Sequence, residues 1–487
     1  MRLLNLSAIV IALMMASCVT KQPETRADNP SYSDVIEKRI QRVTSNLQME
    51  TGFENVFQTK TLDEQLKYYH TPGVSVAIIN DGKIEWARGF GRRNEAGDSV
   101  DVHTLFEAGS VSKPIFALAV MRLMEQGKVD LDKDVNEYLK SWKVPENKGW
   151  QPHITLRQLL SHTAGTTVHG FPGYLTTEPI PTIPQVLNGE SPANTPPVKV
   201  DILPGTVERY SGGGITIAQL AITDILGKSF PEIMHENLFA PLQLSLSTYA
   251  QPLPDSLSDK ASTAFPYKGS PIRGRYHVYP EMAAAGLWTN PTELATALIE
   301  VQKALKGNSS VFKKETIVEM LTPQTKITNE SGMGFFLQSK GDSARFGHNG
   351  WDEGFVALVV AYKNLGKGAV IMVNSNEGYS IMDELVRAIA MEYQWPDYNQ
   401  HPARQIPTTS DELKNNAGIY RAPDSSEIKI DVAADHLRLN WKQQPPIELV
   451  KMENGKFTNE QFNFNITFDK TNLIINQQGN EKHFKKR

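Results

Sequence analysis

Apolar and polar positions fall into three regimes along the chain. Near the start, the runs "VSVAII" (Val74–Ile79) and "KIEWARGF" (Lys83–Phe90) flank Asn80-Asp81-Gly82, a turn sequence that signals a hairpin. Far downstream, "FVALVVAY" (Phe355–Tyr362) and "AVIMVN" (Ala369–Asn374) flank a turn at Asn364–Lys367, with the strand "ARFGH" (Ala344–His348) just before them. These five segments predict one antiparallel sheet assembled from both ends of a domain. Between them the period is helical, with helices expected at Val111–Gln126, Thr155–Ser161, Ile215–Leu226 and Pro291–Leu305, and a last one at Met382–Tyr393.

After the proline-rich stretch Trp395–Ser410 the period becomes two. Ile428, Ile430 and Val432 alternate with polar residues, as do Leu437, Leu439 and Trp441, and then Phe462, Phe464, Ile466 and Phe468. The pattern predicts a small all-β domain with one buried face. The expected fold class is therefore α/β (α+β): a five-stranded antiparallel sheet flanked by helices, a mainly helical subdomain, and a C-terminal β-barrel. The expected boundaries are a large mixed domain over 36–395, a linker over 396–410 and the barrel over 411–487.

The chain of 487 residues carries a net charge of -4 with 21% charged residues. No long Lys/Arg run suggests a nucleic-acid footprint, so that class is set aside. The N-terminus changes the picture more. Arg2 precedes an apolar stretch from Leu3 to Ala16 broken only by Asn5 and Ser7. Fourteen helical residues reach roughly 21 Å, short of the roughly 30 Å hydrocarbon core, so the stretch reads as a signal-peptide segment. The single cysteine, Cys18, follows "MAS". That placement resembles the lipobox of bacterial lipoproteins, and it implies a signal peptide over 1–18, a lipid-modified Cys18 and a polar tether over 19–35. Val19 in place of aspartate implies, by the same resemblance, a periplasm-facing protein of the cell envelope, anchored to the outer membrane. One cysteine permits no intramolecular disulfide.

The candidate chemistry lies in "FEAGSVSKPIF" (Phe106–Phe116). Ser-x-x-Lys occurs three times, at Ser110–Lys113, Ser310–Lys313 and Ser426–Lys429. Ser426 opens an alternating strand, which would put its lysine on the other face. Ser310 sits where Ser309 or Ser310 would cap an exposed helix. Ser110 alone precedes a helix apolar nearly all round, one that belongs in a core. Pro114 fits only in a first turn, so Ser110 stands at the helix N-terminus, where unpaired N–H groups favour a developing alkoxide. Lys113 lies one turn on, able to approach the Ser110 hydroxyl. Burial disfavours its charged form, and a neutral amine can take the serine proton. The bland reading of the same segment is Ser110 as a simple cap with Lys113 solvated.

Two further segments weigh against the bland reading. "YSGGG" (Tyr210–Gly214) places Tyr210 beside three glycines that let backbone pass close to something. "GHNGW" (Gly347–Trp351) ends a predicted strand with a glycine on either side of His348-Asn349. Together, Ser110-Val111-Ser112-Lys113, Tyr210-Ser211-Gly212 and His348-Asn349-Gly350 resemble the Ser-x-x-Lys, Tyr-x-Asn and Lys/His-x-Gly motifs of the serine β-lactamase and penicillin-binding-protein superfamily. The nearest branch holds class C β-lactamases, D-alanyl-D-alanine carboxypeptidases and related esterases. "ITLRQLLSHTAG" (Ile154–Gly165), "AAAGLWTNPTEL" (Ala283–Leu294) and "MGFFL" (Met333–Leu337) also look like that family, over roughly residues 35–395. The C-terminal segment resembles the lipocalin-like barrels appended to some of these hydrolases.

The resemblance implies a serine hydrolase working through an acyl-enzyme on an ester, amide or β-lactam carbonyl of a small molecule or peptide, without cofactor or metal. Ser110 would be the nucleophile, and Lys113 and Tyr210 would manage its proton. His348 would hold a substrate carboxylate or support the tyrosine. Gly212, Asn349, Gly350 and Trp351 would line the substrate site, with the Ser110 and Trp351 amides as oxyanion donors. One departure stands out: the family's asparagine is Gly212, which leans away from β-lactam turnover and toward ester or unusual peptide substrates. Histidine at 348, in place of lysine, leans the same way. The alternative function is a non-catalytic lipoprotein that binds wall fragments. "HENLF" (His235–Phe239) does not complete a His-Glu-x-x-His zinc motif, no Gly-x-Ser-x-Gly elbow is present, and His162 is expected to be structural. The sequence carries no signal for oligomeric state.

Overall fold

A computed structural model describes residues 29–48, 51–52, 59–324, 330–396, 403–442, 444–459, 464–469, 471–477 and 480–487. Cys18, the signal segment and Phe462 lie outside the described residues. The first helix, α1 (Asp34–Thr44), precedes the hairpin of β1 (Gly73–Asn80) and β2 (Lys83–Gly91). The helical middle follows, with α2 (Ser112–Glu125), α3 (Leu156–Leu160), α4 (Gly212–Leu226) and α5 (Pro291–Leu305). The chain then returns through β3 (Phe336–Gln338), β4 (Arg345–Asp352), β5 (Phe355–Tyr362), β6 (Gly368–Val373) and α6 (Gly378–Glu392).

The sheet is antiparallel throughout and runs β2-β1-β6-β5-β4-β3. It has six strands where the sequence predicts five. The added strand is the "MGFFL" segment, whose Phe336 pairs with Gly347 at the sheet edge. Three residues are too short for a period to show in sequence. The central strands read as continuous apolar runs because both faces are covered. Phe355, Ala357, Val359 and Ala361 enter the large core shared with the helical middle. Val356, Leu358, Val360 and Tyr362 point the other way, into a second core closed by α1 and α6.

Local capping explains the helix starts nearest the site. Thr155 and Gln158 form a reciprocal capping box at the head of α3. Helix α4 begins three residues earlier than its apolar period suggests, at Gly212, with Ser211 as N-cap accepting from the Gly214 amide. The three glycines are thus a first helical turn and not a free loop. Ser309 caps no helix: its hydroxyl accepts from the amides of Val311 and Phe312, and the next helix begins at Lys314.

At the C-terminus eight strands, from Gly418–Arg421 to Asn480–Lys486, close into an antiparallel barrel in which the first and last pair through Tyr420 and Lys486. Eight strands leave an interior that side chains can fill, and Tyr420, Ile428, Ile430, Leu439, Ile466 and Phe484 fill it. Val432, expected inside, is exposed at the end of its strand.

Candidate active site

The nucleophile turn is built from backbone constraints. Gly109 has φ +52, and a Cβ there would lie 2.5 Å from the Trp351 amide nitrogen. Only glycine allows β4 to approach this closely. On the same strand a Cβ at Gly350 would fall 2.0 Å from the Ala108 carbonyl oxygen. Gly350 is therefore a spacer that lets Trp351 reach the nucleophile turn, and it offers the substrate no side chain. Ser110 occupies a 3₁₀ turn (Gly109–Val111) leading into α2. The segment before β-paired Trp288 holds that turn: the Ala108 amide donates to the Leu287 carbonyl at 2.9 Å, and the Leu287 amide donates to Ser112 Oγ at 3.0 Å.

Lys113 is fully enclosed, 2% exposed. Its Nζ donates to Ser110 Oγ and to the Ala284 carbonyl, both at 2.8 Å. Burial lowers its pKa to about 7, against an upward pull from Asp352. The ammonium therefore gives up its charge near neutrality. The Tyr210 ring lies over the same amine, with Nζ 4.9 Å from the ring centroid. Burial pushes the Tyr210 phenol up, and a hydrogen bond with Ser110 opposes this only in part.

Four rings surround Tyr210: His162 at 4.4 Å, His169 at 4.8 Å, His348 at 6.0 Å and Phe336 at 6.1 Å between centroids. His162 is buried, and its Nδ1 accepts from the Ser211 amide at 3.2 Å, which pins the tyrosine segment. His348 is also buried; its Nδ1–H donates to the Asn349 carbonyl at 2.5 Å. Burial, reinforced by Lys113, lowers its pKa to about 3. It is a neutral imidazole whose Nε2 lone pair has no hydrogen-bond partner among the described residues. That state suits support of a hydroxyl donor such as Tyr210. A substrate carboxylate would instead call for the ring protonated at Nε2. The Asn349 side chain and Trp351 are exposed on the opposite face of β4.

Gly212 gives the site backbone only, and even its N–H is spent on the His169 carbonyl at 2.9 Å. A Cβ there would meet the Phe171 ring at 3.0 Å and the His169 carbonyl oxygen at 3.1 Å. The volume next to the missing asparagine side chain is occupied by the 169–171 segment.

A family model described as Beta-lactamase matches residues 59–392. The chain belongs to the β-lactamase family. Membership supports serine-hydrolase-type chemistry in general terms. Among curated relatives, Protein flp of Staphylococcus aureus (strain N315) is 23% identical over 335 residues, covering 66% of this chain and 63% of that protein. The chain thus spans about 63% of the length of the relatives it matches there. Esterase EstB of Burkholderia gladioli is 36% identical over 104 residues, which cover 21% of this chain and 26% of EstB. The fold is also that of the octameric penicillin-binding protein homologue from Pyrococcus abyssi, with a TM-score of 0.57 at 20% identity, covering 87% of this chain and 98% of the other.

The family motifs do not point to three buried acids around the site. Asp352 shares the inward face of β4 with His348, two pleats along. Its carboxylate accepts from the Gly109 amide, yet burial holds it well above the usual range. Glu107, paired across a short ladder with Trp288, is raised by burial and by Asp352. Glu281, one turn before the Ala284 carbonyl, is pushed up to about 8 by burial. An acid inside "FEAGS" and another after "HNGW" are the sequence signals that mark the first two.

Proposed function

We propose that this protein is a serine hydrolase with esterase chemistry, working through an acyl-enzyme on Ser110. The observation that carries the reading is the buried Lys113 amine, 2.8 Å from Ser110 Oγ and poised near pH 7. Above that pH the amine is neutral and accepts the serine proton as Oγ attacks the ester carbonyl. The geometry favours Lys113 over Tyr210 as the base, because burial makes a phenolate costly at neutral pH. Tyr210 then acts in its protonated form, passing a proton toward the leaving alkoxide. The Ser110 and Trp351 amides would receive the oxyanion, each such donor contributing about 3–4 kcal/mol. Water enters by the reverse sequence and releases the acid.

Two features support esters over β-lactams and D-alanyl peptides. Gly212 lacks the amide side chain that would bind a substrate amide, and neutral His348 offers a lone pair where a carboxylate would need a donor. The named activity of EstB agrees with this preference. The test is a fluorophosphonate probe with peptide mapping, followed by a panel of esters, a chromogenic cephalosporin and D-alanyl-D-alanine peptides. Labelling confined to Ser110, with turnover greatest on esters, is expected. No labelling by any acylating probe would reject the enzyme and favour a binding protein.

A further inference from the structure

Three acidic side chains are enclosed around the candidate site: Glu107 and Asp352 are each 1% exposed, and Glu281 is 0% exposed. Enclosed carboxyl groups cost stability, and they gather where chemistry needs them. The three differ in what faces them. Asp352 accepts from the Gly109 amide and from the Tyr279 hydroxyl, and Lys113 acts on it as a cation. Among the described residues, Glu107 has only the Gln251 side chain as a donor, and Glu281 only its own backbone amide. Two donors and a cation make Asp352 the member of the cluster that can hold a negative charge. The other two, held up by burial, stay protonated at neutral pH.

Asp352 also gathers three segments that are far apart in the chain. It ends β4 directly after Trp351, whose amide is the candidate oxyanion donor, and pairs with Phe355 across the turn into β5. Through the Gly109 amide it grips the residue before the nucleophile. Through Tyr279 it grips the segment that leads to Ala284, whose carbonyl receives the Lys113 amine at 2.8 Å. The Tyr279 oxygen is fixed in turn by the Glu353 amide at 3.1 Å. Elsewhere the strand meets the turn through glycine, Gly109 against Trp351 and Gly350 against Ala108. Bare backbone permits that approach without holding it. An acceptor for the Gly109 N–H holds it.

We propose that Asp352 is a positioning residue of the hydrolase reaction: its carboxyl group ties the nucleophile turn to the oxyanion strand and supplies the counter-charge to the Lys113 ammonium. The inference rests on the serine-hydrolase reading above and acts through the Gly109–Ser110 turn and through Lys113. The titratable groups around the amine are Tyr210, His162 and His169 on one side and His348 and Asp352 on β4, while Glu107 and Glu281 act on Asp352. Burial keeps the three imidazoles neutral and the Tyr210 phenol protonated at neutral pH. Asp352 is therefore the group whose charge holds the proton on Lys113. The sign follows. Without that charge the ammonium releases its proton at a lower pH, and activity begins to rise at a lower pH.

The experiment records kcat and KM for 1-naphthyl acetate, and the rate of Ser110 labelling by a fluorophosphonate, across the pH range in the full chain. The variants are Asp352→Asn, Asp352→Ser, Asp352→Ala and Glu281→Gln. Asparagine keeps an acceptor oxygen of the same reach and loses the charge; alanine loses both. In Asp352→Asn the rise of kcat/KM with pH is expected to move down by about one pH unit or more, with the plateau kcat within about tenfold of the wild type. Asp352→Ala is expected to move the rise as far and to lower the plateau kcat by about 10²-fold with KM within about threefold, the loss expected of a displaced oxyanion donor. Asp352→Ser, also uncharged, reads the charge if the asparagine variant folds poorly. Glu281→Gln, isosteric with a protonated acid, should leave the rise within about 0.3 pH unit. A profile that stays in place in both Asp352→Asn and Asp352→Ser, or that moves as far in Glu281→Gln, overturns the counter-charge. Equal plateaus for Asp352→Ala and Asp352→Asn overturn the tie. If wild-type Ser110 is labelled and the ester turns over while the variants show neither effect, only the role of Asp352 is wrong. If Ser110 resists the probe and the wild type turns over no ester, the hydrolase reading fails and this role fails with it.

Discussion

Lys113→Met separates the cost of the buried amine from its chemical use. The lysine pKa is displaced from 10.5 to about 7, equivalent to about 5 kcal/mol between its two protonation states. The unfolded chain keeps the proton up to about pH 10.5 and the folded chain releases it from about pH 7 upward. The unfolded state therefore binds more protons between these values, and stability rises with pH across that window. For this one group the gain from pH 7 to pH 9 amounts to about 2 kcal/mol. Methionine, of similar length, removes that linkage. It also strips a donor from the Ala284 carbonyl, a loss of about 1–3 kcal/mol that does not vary with pH. Chemical denaturation of both proteins at pH 7 and pH 9 isolates the amine: the wild type should gain about 2 kcal/mol on the variant over that interval. Ester turnover in the wild type should rise with pH through about 7, and the variant should lose at least about 10³-fold in kcat/KM. Wild-type and variant stabilities that run parallel from pH 7 to pH 9 would show a lysine of ordinary basicity and refute the assignment of the base.

Other expectations concern backbone and anchor. Gly109→Ala adds a Cβ 2.5 Å from the Trp351 amide at φ +52; moving that donor should lower kcat by roughly 10²–10³, measured as single-turnover acylation. Trp351→Ala keeps the backbone amide and should cost far less than Ser110→Ala; comparable losses would remove Trp351 from the oxyanion role. Gly212→Asn, far from restoring cephalosporin hydrolysis, should press on Phe171 and cost about 1–3 kcal/mol in a denaturant melt. Cys18→Ala should release the full-length protein from the membrane fraction, as read by fractionation and blotting; unchanged attachment counts against lipidation.

The sheet was legible where burial on both faces writes an unbroken apolar run, as in Phe355–Tyr362. It was not legible at Phe336–Gln338, whose pairing is set by Gly347. Nor was α1 foreseen, since only Ile40 and Val43 of its eleven residues are buried. Ser110 and Lys113 could be read together because a helix turn joins them, and Tyr210 and His348 because each carries a motif. His169 had no such local mark, and Asp352 only its position after "HNGW". Their place follows from packing between segments far apart in the chain: β4 against Gly109, and the 167–169 carbonyls against the head of α4. The three glycines at 212–214 were legible as a place where backbone passes close; that the neighbour is the 167–169 segment was not.

The order of the sheet also links assembly of the candidate site to the completion of folding. Strand β6 separates β1 from β5, and β5 holds β4 with His348 and the Trp351 amide. A chain still emerging from the ribosome carries its serine and lysine long before it can make residues 345–373, so a molecule that ends before them lacks His348 and the Trp351 amide of the candidate site. Activity recovered after denaturation would therefore count the molecules whose distant halves have joined, a measure that helix content alone does not give.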